Sequence, residues 1–104
     1  MQESTNHIHS TTARITWNIP SIFRQHTGGK SDVELEVADA SFHSALKELL
    51  MIHPGLAAHF DSASSKPHSY ISIFHNDQQI MDLESAMSLK DHDELIIVAA
   101  LSGG

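Results

Sequence analysis

The chain has 104 residues, of which 40% are hydrophobic and 18% charged, a composition typical of one globular domain. Its formal charge of −7 argues against nucleic acid and anionic membranes as partners, because both favour clustered Lys and Arg. The sequence contains no cysteine, which excludes disulfides, thiol catalysis and thiolate metal sites. No apolar run has the length of a membrane span, and the first residues lack a signal-peptide pattern, so we expect a cytoplasmic protein.

The first third of the chain predicts a flexible tail followed by a β-hairpin. Residues 1–12 are polar and are predicted as a flexible N-terminal tail. Apolar and polar residues alternate over 13–19 and again over 33–37, which is the pattern of half-buried strands. Pro20 interrupts the first strand, and the connection 21–30 ends on a turn-forming cluster that contains Gly28 and Gly29. This short spacing favours an antiparallel pair.

The middle of the chain predicts one main helix and a loop. Ser41 is a suitable N-cap, and apolar residues then recur at helical spacing: Phe42, Ala45, Leu46, Leu49 and Leu50. Pro54-Gly55 predicts that the helix ends at about His53. Residues 61–69 contain four Ser and one Pro, and they read as a surface loop.

The last third predicts two more strands separated by a short irregular unit. Tyr70, Ile71, Ile73 and Phe74 indicate a third strand that stops at 76–77, and residues 80–87 indicate a short strand with a helical turn. Residues 91–94 form a polar turn before the continuous apolar run 95–100. A strand that is apolar on both faces is usually central in its sheet.

This order of elements predicts an α+β protein of the β-grasp (ubiquitin-like) class. In that class a mixed sheet carries one main helix packed on one face, and the last strand lies in the middle. We therefore predict a β-grasp domain over 13–100 and an exposed C-terminal tail, Leu-Ser-Gly-Gly, over 101–104.

The predicted tail suggests chemistry at the carboxylate of Gly104. Glycine has no Cβ, so a terminal Gly-Gly is thin enough to enter a narrow active-site channel. A free carboxylate is inert to nucleophiles, but its mixed anhydride with adenylate is open to attack by a persulfide or thiolate. The simpler interpretation is a frayed end without function. The position of Leu101, Ser102 and Gly103 directly after an apolar strand favours a stalk that delivers Gly104.

The sequence resembles the ThiS/MoaD family of ubiquitin-like sulfur carriers. The features that carry the resemblance are the diglycine tail, the order of elements and the 91–94 turn before LIIVAALSGG. Residues 19–29, IPSIFRQHTGG, resemble the first-loop motif of the carriers that serve cysteine biosynthesis, as does the region from Phe60-Asp61 to the strand IFHND at 73–77. Two positions depart from the family pattern: Ala99 replaces a frequent proline, and His75 replaces a branched apolar residue.

The resemblance implies a covalent co-substrate rather than an enzyme. A ubiquitin-activating-type adenylyltransferase and sulfurtransferase would use ATP to activate Gly104, which would become a thiocarboxylate, and the carrier itself would bind no cofactor. A pyridoxal-phosphate cysteine synthase would accept the sulfur, and a metallopeptidase would free the cysteine. Molybdopterin, thiamine or a siderophore are alternative acceptors. Other possible roles are a ubiquitin-like modifier joined to proteins through Gly104 and a non-covalent binding module.

Other patterns compete with this interpretation. The nine histidines include His7-x-His9 but show no recognised ligand spacing, so we interpret them as scattered surface residues and predict no metal site. The HTGGK segment at 26–30 lacks a complete phosphate-loop pattern, so we predict a turn there. Trp17 and Phe74 occupy strand positions that usually belong to the core. Because a β-grasp sheet leaves one face uncovered, Phe74, together with Arg24, is also a candidate for partner docking.

Overall fold

The computed structural model describes residues 12–60 and 71–99. Within them lie strands β1 to β5, helix α1 and two 3₁₀ helices, in this order: β1 (Ala13–Asn18), the first 3₁₀ helix (Ser21–His26), β2 (Asp32–Val37), α1 (Phe42–Ile52), the second 3₁₀ helix (Pro54–His59), β3 (Ile71–His75), β4 (Gln78–Gln79) and β5 (Glu94–Ala99). The predicted tails at 1–12 and 101–104 and the predicted loop at 61–69 lie outside the described residues, apart from residue 12.

The strands form one mixed sheet in the order β2-β1-β5-β3-β4. β1 pairs with β2 as the predicted antiparallel hairpin, in a register that joins Ala13 to Val37 and Asn18 to Asp32. β5 runs parallel to β1 and antiparallel to β3, so it has a hydrogen-bonded neighbour on each side. The prediction that the last apolar strand is central is therefore confirmed.

The hydrophobic core lies between the inner face of the sheet and α1. Every second residue of the long strands is buried, including Ile15 and Trp17 of β1 and Leu95 of β5, and these pack with Phe42 and Leu49 of the helix. Each such side chain contributes about 1.5–3 kcal/mol through burial. The Trp17 indole is 0% exposed, and its Nε1 donates a hydrogen bond to the Ala45 carbonyl oxygen at 3.2 Å. Trp17 is therefore a core residue.

Helix α1 has the N-terminal cap that the sequence predicts. Ser41 Oγ accepts a hydrogen bond from the Ser44 backbone N–H at 3.3 Å, and such a cap contributes about 1 kcal/mol. The preceding Asp39 accepts hydrogen bonds from the hydroxyls of Ser44 and Ser41, which lower the pKa of its carboxyl. The helix ends at Ile52, where the His53 N–H still donates to the Leu49 carbonyl oxygen.

The irregular parts of the chain differ from the sequence predictions. The connection after β1 and the segment after α1 each contain a 3₁₀ helix that local sequence patterns did not reveal. The short strand predicted within 80–87 lies earlier, at Gln78–Gln79, and residues 80–87 contain a turn but no helix. Short elements of this kind depend on tertiary contacts more than on periodicity.

Candidate functional site at the carboxyl end of the central strand

The carboxyl ends of β1 and β5 lie at the same end of the sheet, because the two strands are parallel. Asn18 of β1 is level with Ile96 of β5, and Ala99 lies three residues further along β5. Ala99 pairs with Ile71 and packs against the core. The sheet therefore holds the chain up to Ala99, two residues before the predicted tail. We call this end of the sheet, together with the two 3₁₀ helices, the β5 end.

We call residues 19–31, which connect β1 and β2, the first loop. This loop is held by its own hydrogen bonds. Thr27 is 0% exposed, and its hydroxyl donates to the carbonyl oxygens of Lys30 at 2.8 Å and Arg24 at 3.2 Å. The backbone N–H groups of Thr27 and Gly29 also donate to the Arg24 carbonyl oxygen. Gly28 and Gly29 have φ values of 66° and 85°, a region that favours glycine. The segment is therefore a defined turn, as predicted, and not a phosphate loop.

The second 3₁₀ helix packs against the first through tilted ring contacts. The ring of His59 lies 4.5 Å from that of Phe23 and 5.3 Å from that of His26, measured between ring centroids. His26 also packs so closely on Gly55 that a Cβ at this position would meet its Nδ1 at 2.7 Å. The interpretation of the histidines as scattered surface residues is thus wrong for His26 and His59, which are half-buried contacts between two helices.

The face of the sheet opposite α1 has no helix on it within the described residues, and its centre is apolar. Ile96 and Val98 of β5 point outward, with 38% and 42% of their surface exposed. Phe74 of β3 pairs directly with Ile96 and is half-buried beside it. We call these three residues the open-face patch. Glu34 of β2, Arg14 of β1 and Glu94 of β5 are exposed on the same face, so the patch has a polar border that carries charges of both signs.

The opposite end of the sheet contains a half-buried contact between a histidine and a carboxylate. His75 Nε2 lies 2.7 Å from Asp93 Oδ2, and the two side chains are only 12% and 14% exposed. Burial raises the pKa of the Asp93 carboxyl. The Lys90 backbone N–H, the hydrogen bond to His75 and the charges of His75 and Lys90 lower that pKa, and the net shift is downward. The residue that departs from the family pattern therefore fixes the 91–94 turn, far from the β5 end.

The comparisons with known proteins place this geometry in a family. No protein-family model matches the sequence. The sulfur carrier protein CysO of Mycobacterium tuberculosis is 28% identical over 93 residues, covering 86% of this chain and 98% of that protein. A chain in the crystal structure of the Amycolatopsis orientalis BexX/CysO complex is 31% identical with a TM-score of 0.70, covering 86% of this chain and 99% of its own. This chain belongs to the ThiS/MoaD-like sulfur carriers.

A further similarity connects this sulfur carrier to protein modifiers. The solution structure of small archaeal modifier protein 1 from Methanosarcina acetivorans is 25% identical with a TM-score of 0.67, and the match covers 89% of this chain and 98% of that chain. The family and the predicted β-grasp fold class are both confirmed. Among the residues that the structure describes, no helix is long and apolar enough to cross a membrane.

The structure positions only some of the residues predicted to act in this sulfur carrier. Gly104, Gly103, Ser102 and Leu101 lie outside the described residues, and so do His7 and His9. Phe74 lies in the open-face patch, where a docking residue was expected. Arg24 is half-buried, and its Nε donates to the Ile19 carbonyl oxygen at 3.0 Å. Phe74 thus belongs to the sheet and Arg24 to the first 3₁₀ helix, and partner docking by either residue stays a prediction.

Sequence reasoning did not identify Ile96 and Val98 as surface residues. Their signal was the continuous apolar run of β5, which showed that both faces of the strand are apolar but not which residues remain exposed. Within residues 12–60 and 71–99, no group of three or more His, Asp or Glu side chains is arranged to hold a metal ion.

Proposed function

We propose that the protein is a covalent sulfur carrier whose reactive group is the C-terminal carboxylate of Gly104. The observation that carries the proposal is the central, doubly paired β5, which ends at Ala99 just before the sequence Ala-Leu-Ser-Gly-Gly in a chain of the sulfur-carrier family. A strand with neighbours on both sides resists local opening more than an edge strand or a loop. β5 is therefore a stable strand from which the following residues can present a reacting group.

The chemistry follows from the charge of a carboxylate. An activating enzyme joins the Gly104 carboxylate to the α-phosphate of ATP and releases pyrophosphate. The carbonyl carbon of the resulting acyl-adenylate is electrophilic, and a sulfide or persulfide sulfur attacks it as AMP leaves. When the donor is a persulfide, a reductant or a second thiol then cleaves the S–S bond and leaves the thiocarboxylate. The carrier is a co-substrate in this sequence and not an enzyme. It binds no cofactor of its own, and ATP belongs to the activating enzyme.

The stalk and the open-face patch have separate tasks in this proposal. Leu101, Ser102 and Gly103 carry Gly104 into the channel of the partner. The open-face patch offers the activating enzyme an apolar contact, most of which lies on β5, the strand that precedes the tail in the sequence. Apolar side chains left exposed at the centre of a sheet, with a polar border around them, have the composition of a protein-docking surface.

The sulfur acceptor that we propose is the precursor of cysteine. The support is the resemblance of residues 19–29 and 73–77 to the carriers of cysteine biosynthesis, together with the similarity to CysO. In this route a pyridoxal-phosphate synthase holding an aminoacrylate takes the sulfur, and a metallopeptidase releases the cysteine. Molybdopterin, thiamine and siderophore pathways are the alternatives. Assays of this carrier with each type of acceptor enzyme distinguish them.

The test is intact-mass spectrometry of the purified full-length chain. After incubation with the activating enzyme, ATP and a sulfide source, we expect a species in which one oxygen atom is replaced by sulfur. A variant lacking Gly104 should form none, whereas Met81→Ser, which changes an exposed residue outside the tail and the open-face patch, should react like the wild type. If the wild-type chain forms neither an adenylate nor a thiocarboxylate with any activating enzyme of its host, the proposal is wrong.

A second candidate function is supported by the similarity to small archaeal modifier protein 1. The same adenylate on Gly104 is open to attack by a lysine amine of another protein, which gives an isopeptide bond and AMP. This function predicts a ladder of high-mass conjugates in lysates of the host, detected with an antibody to the chain and lost when Gly104 is deleted. A host without such conjugates that still forms the thiocarboxylate has a carrier and not a modifier.

A further inference from the structure

The β5 end differs in charge from the rest of this acidic protein. Residues 19–31 and 52–60, which form its two 3₁₀ helices and their flanks, contain no Asp or Glu, although the whole chain carries 13. They do contain Arg24, Lys30 and three histidines. Strand β2, by contrast, carries Asp32, Glu34 and Glu36 on its outward positions. Asp32 pairs with Asn18 at the carboxyl end of β1, so the two 3₁₀ helices and their flanks form a region without carboxylates that Asp32 borders.

The length of the tail brings any enzyme that acts on Gly104 close to this end. Five residues follow Ala99, and a fully extended chain spans at most about 3.4 Å per residue, or about 17 Å in all. The reacting atoms of the partner must therefore lie within about 17 Å of Ala99. A channel that encloses most of the tail has walls that lie even nearer to Ala99. The surface of the partner must therefore contact the β5 end.

The first loop is the part of the β5 end that is best placed for this contact. The parallel register sets Asn18 level with Ile96, and the chain continues from β1 into the first 3₁₀ helix at this same end of the sheet. The loop exposes one large apolar side chain, Ile22, which is 38% exposed, and one exposed cation, Lys30. Its hydrogen bonds and the contact with His59 fix it in one conformation, so docking on it costs little ordering entropy.

On these grounds we infer that the first loop is a second docking surface, distinct from the open-face patch, for the adenylating enzyme. Ile22 supplies an apolar contact, and Lys30 faces an acidic rim of the tail channel. The inference rests on the proposed function. The adenylating enzyme is the occupant because all the fates proposed for Gly104, sulfur transfer and protein modification alike, pass through its acyl-adenylate. The 3₁₀ segments, which carry no carboxylate, also repel the triphosphate of ATP less than the acidic strand β2 would, and the enzyme must hold that triphosphate where Gly104 arrives.

The test is ATP–pyrophosphate exchange by the adenylating enzyme, with the full-length chain as the varied substrate. Lys30→Glu should raise the KM for the carrier about tenfold with kcat nearly unchanged, because the residue acts in docking and not in chemistry. The matched control is Lys47→Glu, which reverses an exposed lysine on α1 and changes the net charge by the same amount. It should stay within about twofold of the wild type. Ile22→Ser should raise KM, whereas Met81→Ser should not.

The possible outcomes separate this inference from the proposed function. If the wild-type chain supports exchange and the Lys30 and Ile22 variants behave like their controls, the docking surface is wrong and the sulfur-carrier proposal stands. The docking inference is also wrong if these variants are adenylated normally and only the later sulfur transfer slows, because the loop then contacts the accepting synthase. If the wild-type chain supports no exchange, both proposals fail. Circular dichroism spectra and melting curves show whether each variant is folded.

Discussion

Replacing Gly55 by alanine tests whether the two 3₁₀ helices form one rigid unit. A Cβ at residue 55 would lie 2.7 Å from His26 Nδ1 and 3.3 Å from both Cβ and Cγ of the same residue. Ordinary contact distances between such atoms begin near 3.4 Å, so the ring has to move by about 0.7 Å. Because the Cβ of His26 is also close, rotation of the side chain alone does not relieve the contact, and the first 3₁₀ helix has to shift.

The expected cost follows from overpacking. Adding a methyl group to a filled contact costs about 1–3 kcal/mol, and the lower entropy of the unfolded alanine variant offsets about 0.4–1 kcal/mol. Taking the middle of each range, the net loss of unfolding free energy is about 1.3 kcal/mol. For a domain of this size, this lowers Tm by about 5–10 °C, measured by circular dichroism or calorimetry.

A double-mutant cycle identifies the cause of the loss. His26→Ala opens the space that the new methyl group needs, so Gly55→Ala should cost much less in that background, with a coupling energy of about 1 kcal/mol. The control is Gly28→Ala, where no atom lies within 4 Å but φ is +66°. Its cost of about 1 kcal/mol comes from the backbone and should not depend on His26. Equal effects of Gly55→Ala with and without His26, or no effect at all, would refute the reasoning.

Three further substitutions test other parts of the fold. Thr27→Val keeps the shape of a buried side chain but leaves the Lys30 carbonyl oxygen without its hydroxyl donor. The urea midpoint of unfolding should therefore fall by the equivalent of about 1–2 kcal/mol. An unchanged midpoint would contradict the role of this hydroxyl. Leu49→Ala empties a fully buried position on α1, so it should lower the unfolding free energy by about 2–5 kcal/mol in the same urea titration. A decrease below about 1 kcal/mol would be inconsistent with a filled core. The pKa of Asp93 is lower in the folded than in the unfolded protein, so its stabilising effect is present above the unfolded value of about 3.9 and is lost as the pH falls through the folded value. Stability curves of Asp93→Asn below about pH 4 should therefore be flatter than those of the wild type, and parallel curves would assign the acid sensitivity to other carboxyls.

The regular elements could be predicted from the sequence because their patterns repeat. Alternation identified β1 and β2, the Ser41 cap and the helical spacing identified α1, and the apolar run that includes Ile96 and Val98 showed that β5 is central. These signals are local and redundant, so one atypical residue does not hide them. The diglycine ending predicts Gly104 as the reactive residue from an equally local pattern, and this stays a prediction, whereas the family is shown by the comparisons.

The parts that could not be predicted depend on contacts between distant segments. His26 and His59 are 33 positions apart, and only the packing of the two 3₁₀ helices brings their rings together. His75 and Asp93 meet because β3 pairs with β5. In each case the residue type was consistent with a solvated surface position, and the fold gave it a partner. Single-sequence patterns contain no information on which half-buried histidine faces which neighbour.

The topology also explains why a carrier of this class can be small. A long tail on a loop would need a large partner surface to orient it, since each free residue costs about 1–2 kcal/mol to order. Here β5 is held up to Ala99 by pairing with β3, and the first loop continues from β1 at the same end of the sheet. An enzyme that recognises the open-face patch and the first loop therefore binds groups whose positions the sheet and the 3₁₀ helices already set. On this view, substitutions that loosen the first loop should weaken activation even though they touch neither the tail nor the open-face patch. Gly55→Ala provides this test when its KM in pyrophosphate exchange is measured at a temperature where the variant is fully folded. An unchanged KM would separate the stability of the loop from its role in docking.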